Sequence, residues 1–176
     1  MKTDRNPKPP VPWKKIFIGP DATDHDIKAA AMELNLVNVA KALAEKAHKG
    51  KFGNDGKTPH IVHARRMVGW LLKSGASDRV IAAAWLHDIL GRGRLTEAEL
   101  KRAGVPSPVI EAVVALSKRP GESYYDYLAR VEANPIARRV KIADMIDNVV
   151  DEPSPQARRR YQHGLACLLS DTIAAL

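Results

Sequence analysis

Four ionisable residues stand where apolar helices should carry none. In "VIAAAWLHDIL" (residues 80–90), His87 and Asp88 follow a run of apolar side chains. A helix that is apolar on every side is a buried helix, and a carboxylate buried without a partner is costly. In "HIVHARRMVGWLL" (residues 60–72), His63 falls on the same face as Met67 and Trp70, one turn from Arg66. In "RRVKIADMIDNVV" (residues 138–150), Asp144 lies one turn after Val140, and Asp147 and Asn148 follow at i+3 and i+4. Asp144, Asp147 and Asn148 therefore share one side of a helix. Two imidazoles and two carboxylates in apolar settings suit a divalent cation. Mn, Fe, Co, Ni and Zn accept such mixed ligands and leave positions open for water and substrate. A cation also explains how carboxylates stay ionised in a core.

Taken singly, each residue has a more ordinary reading. His63 reads as a core histidine donating to a carbonyl. Asp144 reads as a buried cap or as a partner of Arg138 or Arg139. Asp147 reads as a helix-surface acid. The order is what favours a metal site: His63, then His87-Asp88, then Asp144, each inside a helical pattern.

The elements that must position these residues are helices. Ala, Leu, Val and Ile dominate an apolar content of 45%, with few aromatics, a composition that favours helix over sheet. Residues 1–20 are rich in Pro and Lys and read as an extended basic arm, and residues 21–176 as one domain. A helical pattern runs from Ala22 to Lys49, with room for a break into two pieces, and stops at Gly50. "KFGNDGKTP" is a loop. Further helices run from His60 to Lys73, from Ser77 or Asp78 to near Gly91, and after a Thr96/Glu99 capping box. Others start at Pro106 or Pro108, after Ser123, at Pro135 and near Gln156. No strand-like alternation and no repeat is found. The fold class expected is all-α, with eight to ten helices.

The net charge of +8 favours anionic partners, a small nucleotide-type ligand or nucleic acid. Its cations are scattered, with no long basic run and no aromatic interleaving, so a solvated basic surface is the plainer reading. The single Cys167 excludes an intrachain disulfide framework and fits a cytoplasmic, reducing setting. Its apolar surroundings read as a buried thiol. The basic start has no apolar stretch behind it and is not a secretory signal. No apolar run reaches membrane-spanning length, so no membrane partner is expected.

The order His63, His87-Asp88, Asp144 resembles the HD-domain metal-dependent phosphohydrolases. Within them it is most similar to the hydrolase domain of the RelA/SpoT alarmone enzymes and its small stand-alone relatives. The matching words are "AHKG…DGKTPHIVHA", "AAAWLHDIL", "TEAEL", "SKRPGESYYDYL" and "VKIADMIDNV". The resemblance implies an HD-domain helical bundle. It implies that His63, His87, Asp88 and Asp144 hold one metal, Mn²⁺ in that class, and that Asn148 faces the substrate. The activity it implies is hydrolysis of a phosphate or pyrophosphate ester, with Asp88 among the catalytic groups.

Two departures bear on that activity. Alarmone hydrolases carry a Glu-Asp pair after the His-Asp dipeptide, used with the attacking water; here Gly91-Arg92 stand in its place. The related nucleoside-monophosphate phosphatases have a Glu at the Gly91 position. Asp147, one turn from Asp144, is a candidate replacement base, and Glu122 a weaker one. The loop before His63 usually holds an Arg-Lys pair that contacts the nucleotide; here it reads Gly53-Asn54, with Asp55-Gly56 retained and His60 in place of a usual Tyr. Arg92, Lys51 and Lys57 are candidate phosphate contacts, since cationic side chains match phosphate oxygens. A phosphohydrolase acting on a nucleotide-type substrate is thus expected. The alternatives are a catalytically impaired nucleotide-sensing module and a nucleic-acid-binding protein with a structural metal, the last marked by steep salt dependence.

Overall fold

The structure, a computed structural model, describes residues 23–53, 56–90, 95–151 and 154–174. Among the described residues eight helices follow one another: α1 Asp24–His48, α2 Ile61–Lys73, α3 Asp78–Leu86, α4 Glu97–Arg102, α5 Ser107–Leu116, α6 Tyr124–Glu132, α7 Pro135–Val150 and α8 Pro155–Ala174. Among the described residues there is no strand, only an isolated bridge between Phe52 and Pro59. The chain is an all-α bundle. By backbone contacts it divides into two units, Met1–Met32 and Glu33–Leu176. The second contains α2 to α8 and every site residue described below. α1 is a single uninterrupted helix; nothing in "IKAAAMELNLVNVAKALAEKAH" is a Gly or Pro that would break it.

The helix ends follow local chemistry. Thr96 and Glu99 form the reciprocal capping box that opens α4. The Ser123 hydroxyl and the Asn134 side chain accept from Asp126 N and Ala137 N, opening α6 and α7. α2 closes at Gly75, whose φ of 68° is left-handed. The bonds from Gly75 N to Leu72 O and from Ala76 N to Leu71 O then satisfy the last carbonyls.

α3 and α7 are the central elements. α3 packs on α2, α5 and α7, while α7 packs on α2, α3, α5, α6 and α8. Val80 to Leu86 of α3 are all buried, as an all-apolar helix requires. The helix ends at Leu86, one residue before the His-Asp dipeptide. His87 and Asp88 therefore lie not within a helix but in the turn that follows, closed by Ile89 N on Leu86 O at 3.1 Å. On α2, Met67 is fully buried, but Trp70, expected on the same face as His63, is 45% exposed. Its ring carries the Lys73 ammonium at 5.3 Å. Cys167 is half-buried rather than buried, with its sulfur 3.7 Å from His163 Nε2.

α8 approaches α6 and α7 closely at Gly164. A Cβ there would come within 2.6 Å of both Met145 Cε and Tyr124 Oη. Among the described residues, no helix is long and apolar enough to cross a membrane.

Candidate metal centre

Three elements converge on one point. α2 brings His63, the turn after α3 brings His87 and Asp88, and α7 brings Asp144. Ligand atoms of His63, His87 and Asp144 lie within 4.8 Å of one another. His63 Nε2 is 3.0 Å from Asp144 Oδ1, and His87 Nε2 is 4.0 Å from the same oxygen. His87 is buried, and its Nδ1 donates to Ala84 O at 2.9 Å. That bond leaves Nε2 as the bare nitrogen, directed at the cluster. Asp88 stands at the edge of the group. Its Oδ1 is 3.7 Å from His87 Nε2, and its Oδ2 meets His60 Nε2 at 2.8 Å.

The donor set is two imidazole nitrogens and one buried carboxylate, with a second carboxylate beside them. That chemistry fits a first-row divalent cation. The surroundings supply the outer contacts such sites need, because the ligating groups are themselves held. Asp144 receives Lys141 Nζ on Oδ2 at 2.6 Å and Asn148 Nδ2 on Oδ1 at 2.8 Å. Burial opposes charge on Asp144, but Lys141 and the two imidazoles outweigh it, and the carboxyl stays ionised far below its usual range. Lys141 is likewise buried, yet Asp144 raises its basicity. Burial depresses His87 toward the neutral form that can bind metal. Burial also disfavours charge on His63, but Asp144 and Asp147 more than offset it and raise its pKa.

Asp147 is not a helix-surface acid. Its side chain is 1% exposed. Arg66 Nε and Nη2 donate to it at 2.8–3.1 Å, and His63 Nδ1 lies 2.8 Å from Oδ2. Burial would raise its pKa, but Arg66 and His63 reverse that and lower it. Asp147 is thus tied to His63 and Arg66 and is not among the residues that line the cavity. Glu122 is likewise paired, with Arg130 at 2.7 Å.

A cavity of about 360 Å³ opens on the cluster. His87, Asp88, Asp144 and Asn148 line it. Lys118, Lys141 and Arg160 supply cations, and Tyr124, Tyr127 and Tyr161 supply aromatic faces. The Arg160 guanidinium lies over the Tyr124 and Tyr161 rings at 6.0 and 5.5 Å. Lys51 and Lys57 do not line it. They are exposed, on the loop that Gly53 N to Thr58 O and His60 N to Lys51 O close. Arg92, with Gly91, and the Asn54-Asp55 pair lie outside the described residues.

Sequence reasoning missed several members of this site. Arg66 and Lys141 had a local signal: each sits three residues from a site residue on its own helix. His60 and His48 are buried with ring centroids 4.6 Å apart, a contact between distant segments that spacing does not reveal. Arg160 and Tyr161 come from α8, where no motif marked them. No protein-family model matches the chain, and no curated protein matches it either.

Proposed function

We propose that the protein is a metal-dependent phosphohydrolase of the HD-domain type, acting on a nucleotide or a related phosphate or pyrophosphate ester. The observation that carries this reading is the placement of the cluster: His87 and Asp144, two of its three members, line a cavity together with Asp88, three cationic side chains and three tyrosines. Cations match phosphate oxygens, and tyrosine rings match a base or sugar face. The motif order His63, His87-Asp88, Asp144 supports it from the sequence side.

His63, His87 and Asp144 would hold the ion, with Asp88 completing the set. Mn²⁺ is the metal proposed, with Zn²⁺, Fe²⁺, Co²⁺ and Ni²⁺ compatible with the same donors. A divalent ion supplies Lewis acidity there, polarising a phosphoryl oxygen and acidifying water. The chain's own residues do the rest. Lys141 keeps Asp144 ionised and adds positive charge beside the reacting phosphate. Asn148 holds Asp144 through its amide nitrogen. Lys118 and Arg160 bind the remaining anionic groups.

One observation favours a second reading, a nucleotide-sensing module without turnover. Among the described residues lining the cavity, the carboxylates are Asp88 and Asp144, both part of the cluster. None is left over as an independent general base. One proton-transfer catalyst is worth roughly 10²–10⁴-fold. Guanosine tetraphosphate should therefore be cleaved at least tens of times slower than by a hydrolase with the Glu-Asp pair.

The test is metal analysis of the purified protein, followed by a phosphate-release screen over nucleotides with added Mn²⁺. Metal-dependent release that Asp144→Ala abolishes supports the hydrolase. Metal-dependent nucleotide binding without release supports the sensor. A protein that takes up no divalent ion overturns both.

A further inference from the structure

His63 meets a carboxylate on each ring nitrogen. Nε2 faces Asp144 inside the cluster at 3.0 Å, and Nδ1 faces Asp147 outside it at 2.8 Å. An ionised carboxylate can only accept a hydrogen bond. Without an ion both nitrogens face acceptors; an ion in the cluster would take Nε2, and the neutral ring would then keep its one hydrogen on Nδ1, against Asp147. Asp147 cannot swing away from this task. Arg66 Nε reaches both of its oxygens, at 2.9 and 3.1 Å, and Arg66 Nη2 reaches Oδ2 at 2.8 Å. Arg66 is steadied in turn by Asp151 at 3.1 Å. The chain of contacts thus runs Asp151, Arg66, Asp147, His63, with its members alternating between α2 and the C-terminal end of α7.

An ion pair serving only to join α2 to α7 would not need the oxygen nearest the arginine to lie on Nδ1 as well. Here Oδ2 is shared between Arg66 and His63. We infer that Asp147, clamped by Arg66, is a positioning residue that fixes the His63 tautomer and aims Nε2 into the metal cluster. This rests on the metal reading proposed above. It gives the acid a role at the site other than that of a base acting on water.

The experiment uses Zn²⁺, which is diamagnetic, and the full chain. Calorimetry gives Zn²⁺ affinity for wild type, Asp147→Ala, Asp147→Asn, Arg66→Met and, as the site control, Asp144→Ala. Nitrogen-15 NMR of the loaded wild type shows which ring nitrogen of His63 bears hydrogen. The expected result is hydrogen on Nδ1, and about 10–100-fold weaker binding in Asp147→Ala. Asp147→Asn keeps an acceptor for Nδ1–H and should recover most of that loss, which also covers the case of an Ala variant that fails to fold. Arg66→Met, with Asp147 present but unclamped, should fall between. Zn²⁺ binding by a folded Asp147→Ala within about twofold of wild type, or Zn²⁺ on Nδ1, overturns the assignment alone. Wild type that binds no more Zn²⁺ than Asp144→Ala overturns the metal reading, and the assignment with it.

Discussion

Arg130 grips Glu122 much as Arg66 grips Asp147. Both are two-pronged guanidinium–carboxylate pairs with contacts near 2.7–3.1 Å, and both carboxyls are held below their usual range. They differ in where the remaining hydrogen-bonding capacity goes. In the first pair the arginine has donors to spare, and they go to the carbonyls of Val114, Ala115 and Ser117 at the end of α5. In the second pair the carboxylate has a lone pair to spare, and it goes to His63 Nδ1. The partners are eight residues apart in the first case and 81 in the second. The Glu122 pair finishes a helix terminus and so shapes the Ser117–Lys118 edge of the cavity. The Asp147 pair reaches across the bundle to a group that can do chemistry. The same ion pair thus serves the backbone in one place and a candidate ligand in the other.

The largest effect should come from Asp144→Ala, which removes the oxygen that His63 and His87 share and touches only the Asp147 side of the comparison. It should abolish divalent-ion binding outright, measured by metal content. It should also cost about 3–5 kcal/mol in denaturant unfolding, because Lys141 is left as a buried, unpaired charge. Arg130→Met comes next. Loss of its charge-assisted bonds should cost about 2–3 kcal/mol, with Zn²⁺ affinity unchanged; a parallel fall in affinity would erase the contrast between the two pairs. Gly164→Ala should cost about 1–3 kcal/mol through overpacking. Its displaced Tyr124 should weaken nucleotide binding while metal uptake stays intact, as calorimetry with each ligand would show.

The smallest effect is in the acid limb. Hydrogen bonds from Arg130 lower Glu122 from 4.5 to about 2. A carboxyl depressed in this way stabilises the fold above its unfolded value, and the contribution is lost as pH falls toward the folded value. Wild type should therefore lose more thermal stability than Glu122→Gln between pH 4.5 and about 2. Parallel melting curves for the two proteins would detach Glu122 from acid stability.

The convergence of His63, His87 and Asp144 was legible in the sequence through their order in apolar segments, since each residue taken singly has an ordinary reading. The caps at Thr96, Ser123 and Asn134-Pro135 were legible because they are local. The end of α3 was not: His87 keeps near-helical backbone angles, so the pattern runs on past the last helical bond. Asp147 read as a surface acid because the helical wheel fixes the side a residue lies on, but not which neighbour covers that side. Here Arg66 and His63, from another helix, bury it. Arg160 and Tyr161 reach the cavity only through the packing of α8, which Gly164 permits and no periodicity announces.

The separation of 81 residues between His63 and Asp144 also bears on how the chain acquires its site. Closing a loop of that length is opposed by chain entropy, so the pair forms only when α2, α3 and α7 have docked. A fragment or a partly folded chain presents the imidazoles without the buried oxygen. Any ligand that requires all three is thereby linked to completed folding, and its occupancy pulls the equilibrium toward the finished bundle alone.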